Sequence, residues 1–275
     1  MEHLSMLDDK KVVLLLEDIQ NKYGYDFLNY SRASIMRRIS RLLEITSLSE
    51  FEEMRSKLLE DEAFFEIFLQ EVTVNLTEMF RDPELFQALR EKVYAELSFR
   101  PLIRIWHAGC ATGEEVYSNA IALQEENLLQ RSLIYATDIN QKVLDYAKEG
   151  IFNISRVQQS TKNYIKAGGS NNLSDYYHSS KNVPRFSDIL REKMVFSAHN
   201  LAHDQSFNEF NLIMCRNVMI YFNNDLQNTV LKLFTDSLSR FGYLVLGLKE
   251  SIQFSDYSDR FELIDKKLRI YKKID

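Results

Sequence analysis

The chain has 275 residues, 45% of them hydrophobic and 12% aromatic, enough for one large domain or two moderate ones. Its 34 basic residues stand against 40 acidic ones, and the net charge of −6 argues against non-specific nucleic-acid binding by the whole chain. Two cysteines and five scattered histidines offer no metal-ligand spacing, and no apolar run approaches a membrane span. The start, Met1 to Ser5, lacks the basic and apolar regions of a signal peptide. Cys110 and Cys215 fall in or just after apolar runs that read as buried strands, so reduced thiols in a cytoplasmic protein are expected.

Residues 1–97 read as an all-helical domain. They hold one glycine, Gly24, and one proline, with apolar spacing of helical period. Val12–Ile19, Ser31–Ile45, Leu48–Leu59 and Ala63–Val72 give the segments, and a further helix, Glu84–Leu97, follows Asp82-Pro83. On the second segment Arg37 and Arg38 lie one turn before Arg41, with Ile35, Ile39 and Leu42 on the other side. A solvated basic face and a docking surface for an acidic partner both fit that pattern. Val72–Arg81 alternates polar and apolar residues and reads as a loop, with Asn75, Thr77 and Arg81 able to face one ligand or to cap the next helix.

Residues 98–275 change rhythm to α/β. Leu102–Ala108 reads as a buried strand, Gly109–Gly113 as a turn, and the segment from Glu114 as a helix. This is the opening of a nucleotide-type domain, yet the turn lacks the third glycine of a dinucleotide fingerprint. Glu114 and Glu115 at the helix start would repel a pyrophosphate; a cationic ligand without phosphate, such as S-adenosylmethionine, fits better. Ordinary capping acids would read the same way. Ser132–Asn140 reads as a second strand, and Asp138 at its end is a candidate for ribose hydroxyls, or for the N-cap of the Gln141–Glu149 helix, a role open to Asn140 as well. Residues 152–190 read as an insertion of short strands or loops, a small β-subdomain. Strands follow at Lys193–Phe196, Phe210–Cys215 and Tyr243–Leu248, with a helix over Asp225–Phe241 closed by Gly242, and Phe261–Ile274 reads as an antiparallel pair. Gly109–Glu115, Asp138, Asn200-Leu201 and Arg216–Tyr221 then lie just past the carboxyl ends of the strands, where open α/β sheets bind ligands.

Four motifs carry a family resemblance: Asn-Leu-Thr-x-x-x-Arg at Asn75–Arg81, Thr-Gly-Glu-Glu at Thr112–Glu115, Thr-Asp-Ile at Thr137–Ile139, and Cys-Arg-Asn-Val-Met-Ile-Tyr-Phe at Cys215–Phe222. Together they resemble the chemoreceptor glutamate O-methyltransferases, the CheR family, over nearly the whole chain. The resemblance implies a class I S-adenosylmethionine-dependent, Rossmann-like α/β fold with a β-subdomain insertion, behind a helical N-terminal domain. It implies cofactor contacts at Asn75, Thr77, Arg81, Glu115, Asp138, Asn200, Leu201, Arg216 and Asn217, with Gly109 at the same edge. Arg81 and Tyr221 match residues proposed to position substrate, and Arg37, Arg38 and Arg41 match a helix that docks on the cytoplasmic helical region of a chemoreceptor. A monomeric cytoplasmic enzyme releasing S-adenosylhomocysteine is expected, with no metal, no nucleic-acid partner and no membrane insertion. Val116 stands where family members often have proline, and Gly168–Ser180 does not resemble the region with which some relatives grip a receptor peptide. A glutamate acceptor is already ionised at neutral pH, which accords with a sequence lacking any Ser-His-Asp, Cys-His or metal constellation.

Overall fold

A computed structural model describes residues 8–48, 50–73, 77–151, 153–180 and 183–275. The chain divides into two compact units, 1–75 with 220–229 and 76–219 with 230–275.

The first unit contains α1 (Asp9–Tyr23), α2 (Arg32–Thr46), α3 (Phe51–Glu60) and α4 (Glu62–Thr73). The Asp8 side chain caps α1 by accepting from Lys10 N–H, and Gly24 closes it in the left-handed region. Leu15, Leu16 and Ile19 of α1, Ile35, Ile39 and Leu42 of α2, and Phe64, Phe65 and Phe68 of α4 share one core. Period-3.6 spacing puts those residues on facing stripes, so burial follows directly from sequence pattern. The opposite side of α2 carries the arginines. Arg37 is exposed and has no ion-pair partner among the described residues, Arg38 is half-buried, and Arg41 Nε lies 3.0 Å from Glu71 Oε2. The returning segment 220–229 belongs to this unit: Ser31 N–H donates to the Tyr221 carbonyl at 2.7 Å, and Phe222 meets Tyr30 edge-on at 5.0 Å.

The second unit begins earlier than the composition of the chain implies. The expected boundary near Ser98 gives way to one at residues 75/76, because α5 (Pro83–Ala88), a π-helical stretch (Leu89–Tyr94) and α6 (Ala95–Leu97) bury Leu85, Phe86, Leu89 and Val93 in the α/β core. Helical composition alone does not reveal which core a helix joins.

Alternating elements follow: β1 (Ile103–Ala108), α7 (Glu114–Glu125), β2 (Ser132–Asp138), α8 (Gln141–Glu149), α9 (Val157–Lys166), β3 (Tyr177–Ser180), β4 (Val183–Phe186), α10 (Asp188–Arg191), β5 (Met194–Ala198), β6 (Phe210–Cys215), α11 (Asn224–Ser237), β7 (Leu238–Leu246), β8 (Phe261–Asp265) and β9 (Ile270–Lys273). The main sheet runs β5-β2-β1-β6-β7-β9-β8. Neighbours are parallel from β5 to β7, and β9 and β8 close it antiparallel. The strand order reverses direction between β1 and β6, and such a switch point opens a crevice at the carboxyl ends.

The insertion mixes both structure types: α9 precedes the antiparallel β3–β4 pair. It is fastened to the end of α7 by Glu125, which accepts from the Tyr176 hydroxyl at 2.9 Å, from Ser170 N–H at 3.1 Å and from the Tyr164 hydroxyl. Helix α11 stops at Ser237, four residues short of the expected end. Gly242 therefore lies inside β7 and caps no helix; a Cβ there would meet the Ser239 carbonyl at 2.9 Å and the Phe210 carbonyl at 3.2 Å. Close strand packing, which composition reads as a helix stop, is what requires glycine.

Trp106 on β1 anchors the sheet's other layer. Its ring is fully buried, its indole N–H donates to Thr137 Oγ1 at 2.8 Å, and Phe210 and Phe234 pack on it at 5.2 and 5.4 Å. It is the chain's one tryptophan, so its fluorescence reports on this unit. Phe234→Ala, which empties a fully buried site, should cost about 3–5 kcal/mol, read as a lower denaturation midpoint in Trp106 emission.

Candidate functional site

β1 delivers the chain into the turn Gly109–Gly113. Gly109 has φ 76°, and a Cβ on it would lie 2.5 Å from Val218 Cγ2, so both conformation and the close approach of the segment after β6 demand glycine. Gly109 and Cys110 N–H both donate to the Thr137 carbonyl, at 2.8 and 2.9 Å, which ties the turn to the end of β2.

Asp138 completes that tie. One of its oxygens accepts from Ala111 N–H at 2.9 Å and the other from Asn140 N–H at 3.0 Å. Burial pushes its carboxyl up, against the opposing pull of these backbone donors. The N-cap of α8 is Asn140, whose side chain accepts from Lys142 N–H at 3.0 Å. Asp138 is thereby left to shape the glycine turn.

The two carboxylates opening α7 separate. Glu114 accepts from the Thr112 hydroxyl at 2.6 Å. Glu115 turns inward: Oε2 lies 2.6 Å from Arg216 Nη1 and Oε1 lies 3.1 Å from His107 Nδ1. Arg216, from the end of β6, also reaches the Asp82 carboxylate at 2.5 Å through Nη2, and its Nη1 donates to the Arg81 carbonyl at 3.4 Å. The cation that Glu115 meets is therefore the chain's own arginine. Burial would raise the Glu115 carboxyl, but the Arg216 charge and the His107 hydrogen bond outweigh it and hold it at about 2.

Behind Glu115 runs a buried polar chain. The Tyr94 hydroxyl donates to Asn119 Oδ1 at 2.5 Å, and Asn119 Nδ2 donates to His107 Nε2 at 2.8 Å. His107 Nδ1 is then left as the N–H donor to Glu115, which fixes its tautomer by the partner on the other ring nitrogen. Tyr94, Asn119 and His107 are all essentially inaccessible to water, so each link is made within a low-dielectric interior.

The remaining strand ends contribute two loops. His199 N–H donates to the Asp138 carbonyl at 3.1 Å, bringing Asn200 and Leu201 beside β2. The Asn200 side chain caps a local turn by accepting from Ala202 N–H at 3.0 Å, and Leu201 is buried. Asn217 sits at φ 62°, held by Glu250, which accepts from Asn217 N–H at 3.0 Å, Val218 N–H at 2.9 Å and Gly247 N–H at 2.6 Å.

Among the expected site residues, Gly109, Glu115, Asp138 and Arg216 converge on the switch point, with Arg81 joined through its carbonyl. Thr77 lies on the same loop as Arg81. Asn75 lies outside the described residues. Tyr221, Arg37, Arg38 and Arg41 belong to the helical unit. Asp82, Tyr94, His107, Asn119 and Glu250 have no counterpart in the sequence analysis. His107 is hidden within an apolar strand run, and Asp82 reads as an ordinary residue before a helix proline, so neither gives a spacing signal.

Asp82 and Glu115 pair with Arg216, and Asp138 stands at the adjoining glycine turn, an acidic excess that suits a sulfonium and an ammonium better than a pyrophosphate. Two buried donors, Arg216 Nε and Asn140 Nδ2, have no hydrogen-bond partner among the described residues. A ligand that brings acceptors, as adenosine and a carboxylate do, fits them. The site and strand order together define a nucleotide-type α/β domain built for an S-adenosyl ligand.

Family comparison agrees with that geometry. The model of the CheR methyltransferase SAM-binding domain matches residues 75–270, and that of the CheR all-alpha domain matches residues 12–73. The chain belongs to the CheR methyltransferase family, whose cofactor is S-adenosylmethionine. It is 47% identical to the putative methyltransferase Cher3 of Pseudomonas putida over 96% of this chain and 97% of that protein. A chemotaxis protein methyltransferase of Borreliella burgdorferi is 31% identical over 87% of each chain, and that of Salmonella typhimurium 29% over 94% of this chain and 88% of its own.

Glu115 titrates below the ordinary glutamate value of 4.5, so its stabilisation is present above 4.5 and lost as pH falls toward 2. Glu115→Gln should cost about 3 kcal/mol at neutral pH by leaving Arg216 under-neutralised. The gap to wild type, measured by chemical denaturation, should narrow across that acidic window; a constant gap would remove the ion pair as its cause.

Proposed function

We propose that this enzyme transfers a methyl group from S-adenosylmethionine to side-chain carboxylates of glutamates in the cytoplasmic helical region of a chemoreceptor. The match across both units with relatives named chemotaxis protein methyltransferases carries this reading. It acts in the cytoplasm as a monomer; no described helix is long and apolar enough to cross a membrane.

Thr77, Arg81, Gly109, Glu115, Asp138, Asn200, Leu201, Arg216 and Asn217 hold the cofactor. Bound there, the cofactor supplies an electrophilic methyl: a carboxylate oxygen forms the C–O bond while the C–S electrons return to sulfur, leaving a methyl ester and S-adenosylhomocysteine. No proton moves, because a glutamate side chain is already ionised near neutral pH. The protein's contribution is therefore alignment and exclusion of water. Arg81 aims the acceptor carboxylate by its charge.

The basic face of α2 is the receptor-docking surface. Arg37 supports this most strongly, being exposed without an ion-pair partner among the described residues, whereas Arg41 is already engaged by Glu71. An acidic helical partner would meet that face favourably and associate faster at low salt.

Two outcomes follow. Asp138→Ala should weaken S-adenosylmethionine binding about tenfold or more in calorimetry, and unchanged affinity would take Asp138 out of the cofactor site. Arg37→Glu should cut labelled-methyl transfer to receptor-containing membranes several-fold and steepen its salt dependence, with cofactor affinity intact. Full transfer by that variant would move the docking face elsewhere.

A further inference from the structure

The loop carrying Thr77 and Arg81 is gripped from the insertion as well as from the strand ends. Arg156, Gln159, Ser160 and Asn163 follow at offsets of three, four and seven, which is one face of α9 and the turn before it. Two of them bind the loop's main chain. Arg156 Nη1 donates to the Thr77 carbonyl at 2.9 Å, and Asn163 Nδ2 donates to the Met79 carbonyl at 3.0 Å.

Between that face and the loop is a cavity of about 410 Å³, within the size range of ligand clefts. Arg81, Arg156, Gln159, Ser160, Asn163 and Glu78 contribute to its lining, while Gly109, Glu115, Asp138 and Arg216 do not. The composition is specific in charge. Two guanidiniums face one carboxylate, and neither Arg81 nor Arg156 forms an ion pair among the described residues. The bond to Thr77 uses one of the five N–H donors of Arg156, so the rest of its planar fork is available. Gln159 Nε2 donates to Asn163 Oδ1 at 2.8 Å, which orders the amides on the same wall. Glu78 offsets one positive charge and disfavours a polyanion such as pyrophosphate, leaving a site matched to a single carboxylate with amide neighbours.

We propose that this cavity is the acceptor subsite, and that Arg156, facing Arg81 across it, binds an acidic side chain of the protein substrate. The inference rests on the functional reading above. It makes the insertion a part of substrate selection: α9 fixes the backbone of the loop that presents Arg81 and supplies the second cation itself. The cofactor's own carboxylate shares this chemistry, and the experiment separates the two.

The test uses the full chain with labelled S-adenosylmethionine and a purified chemoreceptor cytoplasmic fragment as acceptor. Arg156→Ala removes the cation; Gln159→Glu, nearly isosteric on an exposed position, places a competing carboxylate beside it and keeps the Thr77 bond. Both should raise the KM for the fragment about tenfold or more; Gln159→Glu, which leaves the loop's anchor in place, should keep kcat and calorimetric cofactor affinity within about twofold of wild type. Arg156→Lys should recover part of the loss, since a point charge replaces the fork. An unchanged KM in both variants overturns the proposal. So does a fall in the cofactor affinity of Gln159→Glu that parallels its KM, which would assign the cavity to the cofactor's carboxylate. If wild type labels no fragment at all, the functional reading fails, and the subsite with it.

Discussion

The ion pair between Glu115 and Arg216 is the constraint on which the rest of the site depends. It joins the start of α7 to the end of β6 across the point where strand order reverses, and Asp82 extends it to the loop before α5. Two charges withdrawn from water are costly unless each is well paired, and here the arginine has two carboxylates while Glu115 has both arginine and His107. The Tyr94–Asn119–His107 chain behind it leaves Glu115 little freedom to turn. The result is a crevice whose wall is set before any ligand arrives.

The same logic shapes the other strand ends. Asp138 spends its oxygens on the backbone of the glycine turn and of the α8 approach, and Glu250 collects three N–H groups to hold Asn217 in a left-handed conformation. Buried carboxylates satisfied by main-chain donors are rigid supports, because each lost bond would leave an unpaired charge inside. The loop bearing Thr77 and Arg81 is held likewise on two sides, by Arg216 at one end and by Arg156 and Asn163 of the insertion along its length. A methyl transfer that needs no acid or base gains most from such fixed geometry.

How much of this was legible in sequence depends on the range of the interaction. Short-range signals read well: the apolar run into Gly109, the α8 helix, and the antiparallel pair at the chain's end all depend on neighbours within a few positions. The paired acids at Glu114 and Glu115 open α7, and local sequence does not show that Arg216, about a hundred residues on, neutralises one of them. His107 looked like a strand residue because its partner is one turn inside α7. Phe241-Gly242 looked like a helix end because composition does not distinguish a stop from a tight strand crossing, which is settled by the Phe210 and Ser239 carbonyls. The helices from Pro83 to Leu97 were legible as helices, while their allegiance to the α/β core is a tertiary fact carried by Leu85, Phe86 and Leu89.

The central claim is that the switch point between β1 and β6 is shaped for a sulfonium donor and not for a phosphorylated coenzyme. Calorimetric titration of the wild-type protein with S-adenosylhomocysteine, S-adenosylmethionine and NADH addresses it directly. The account predicts saturable one-to-one binding of both S-adenosyl compounds and no heat from NADH. Folded protein that binds neither S-adenosyl compound at millimolar concentration, or that prefers NADH, would contradict it.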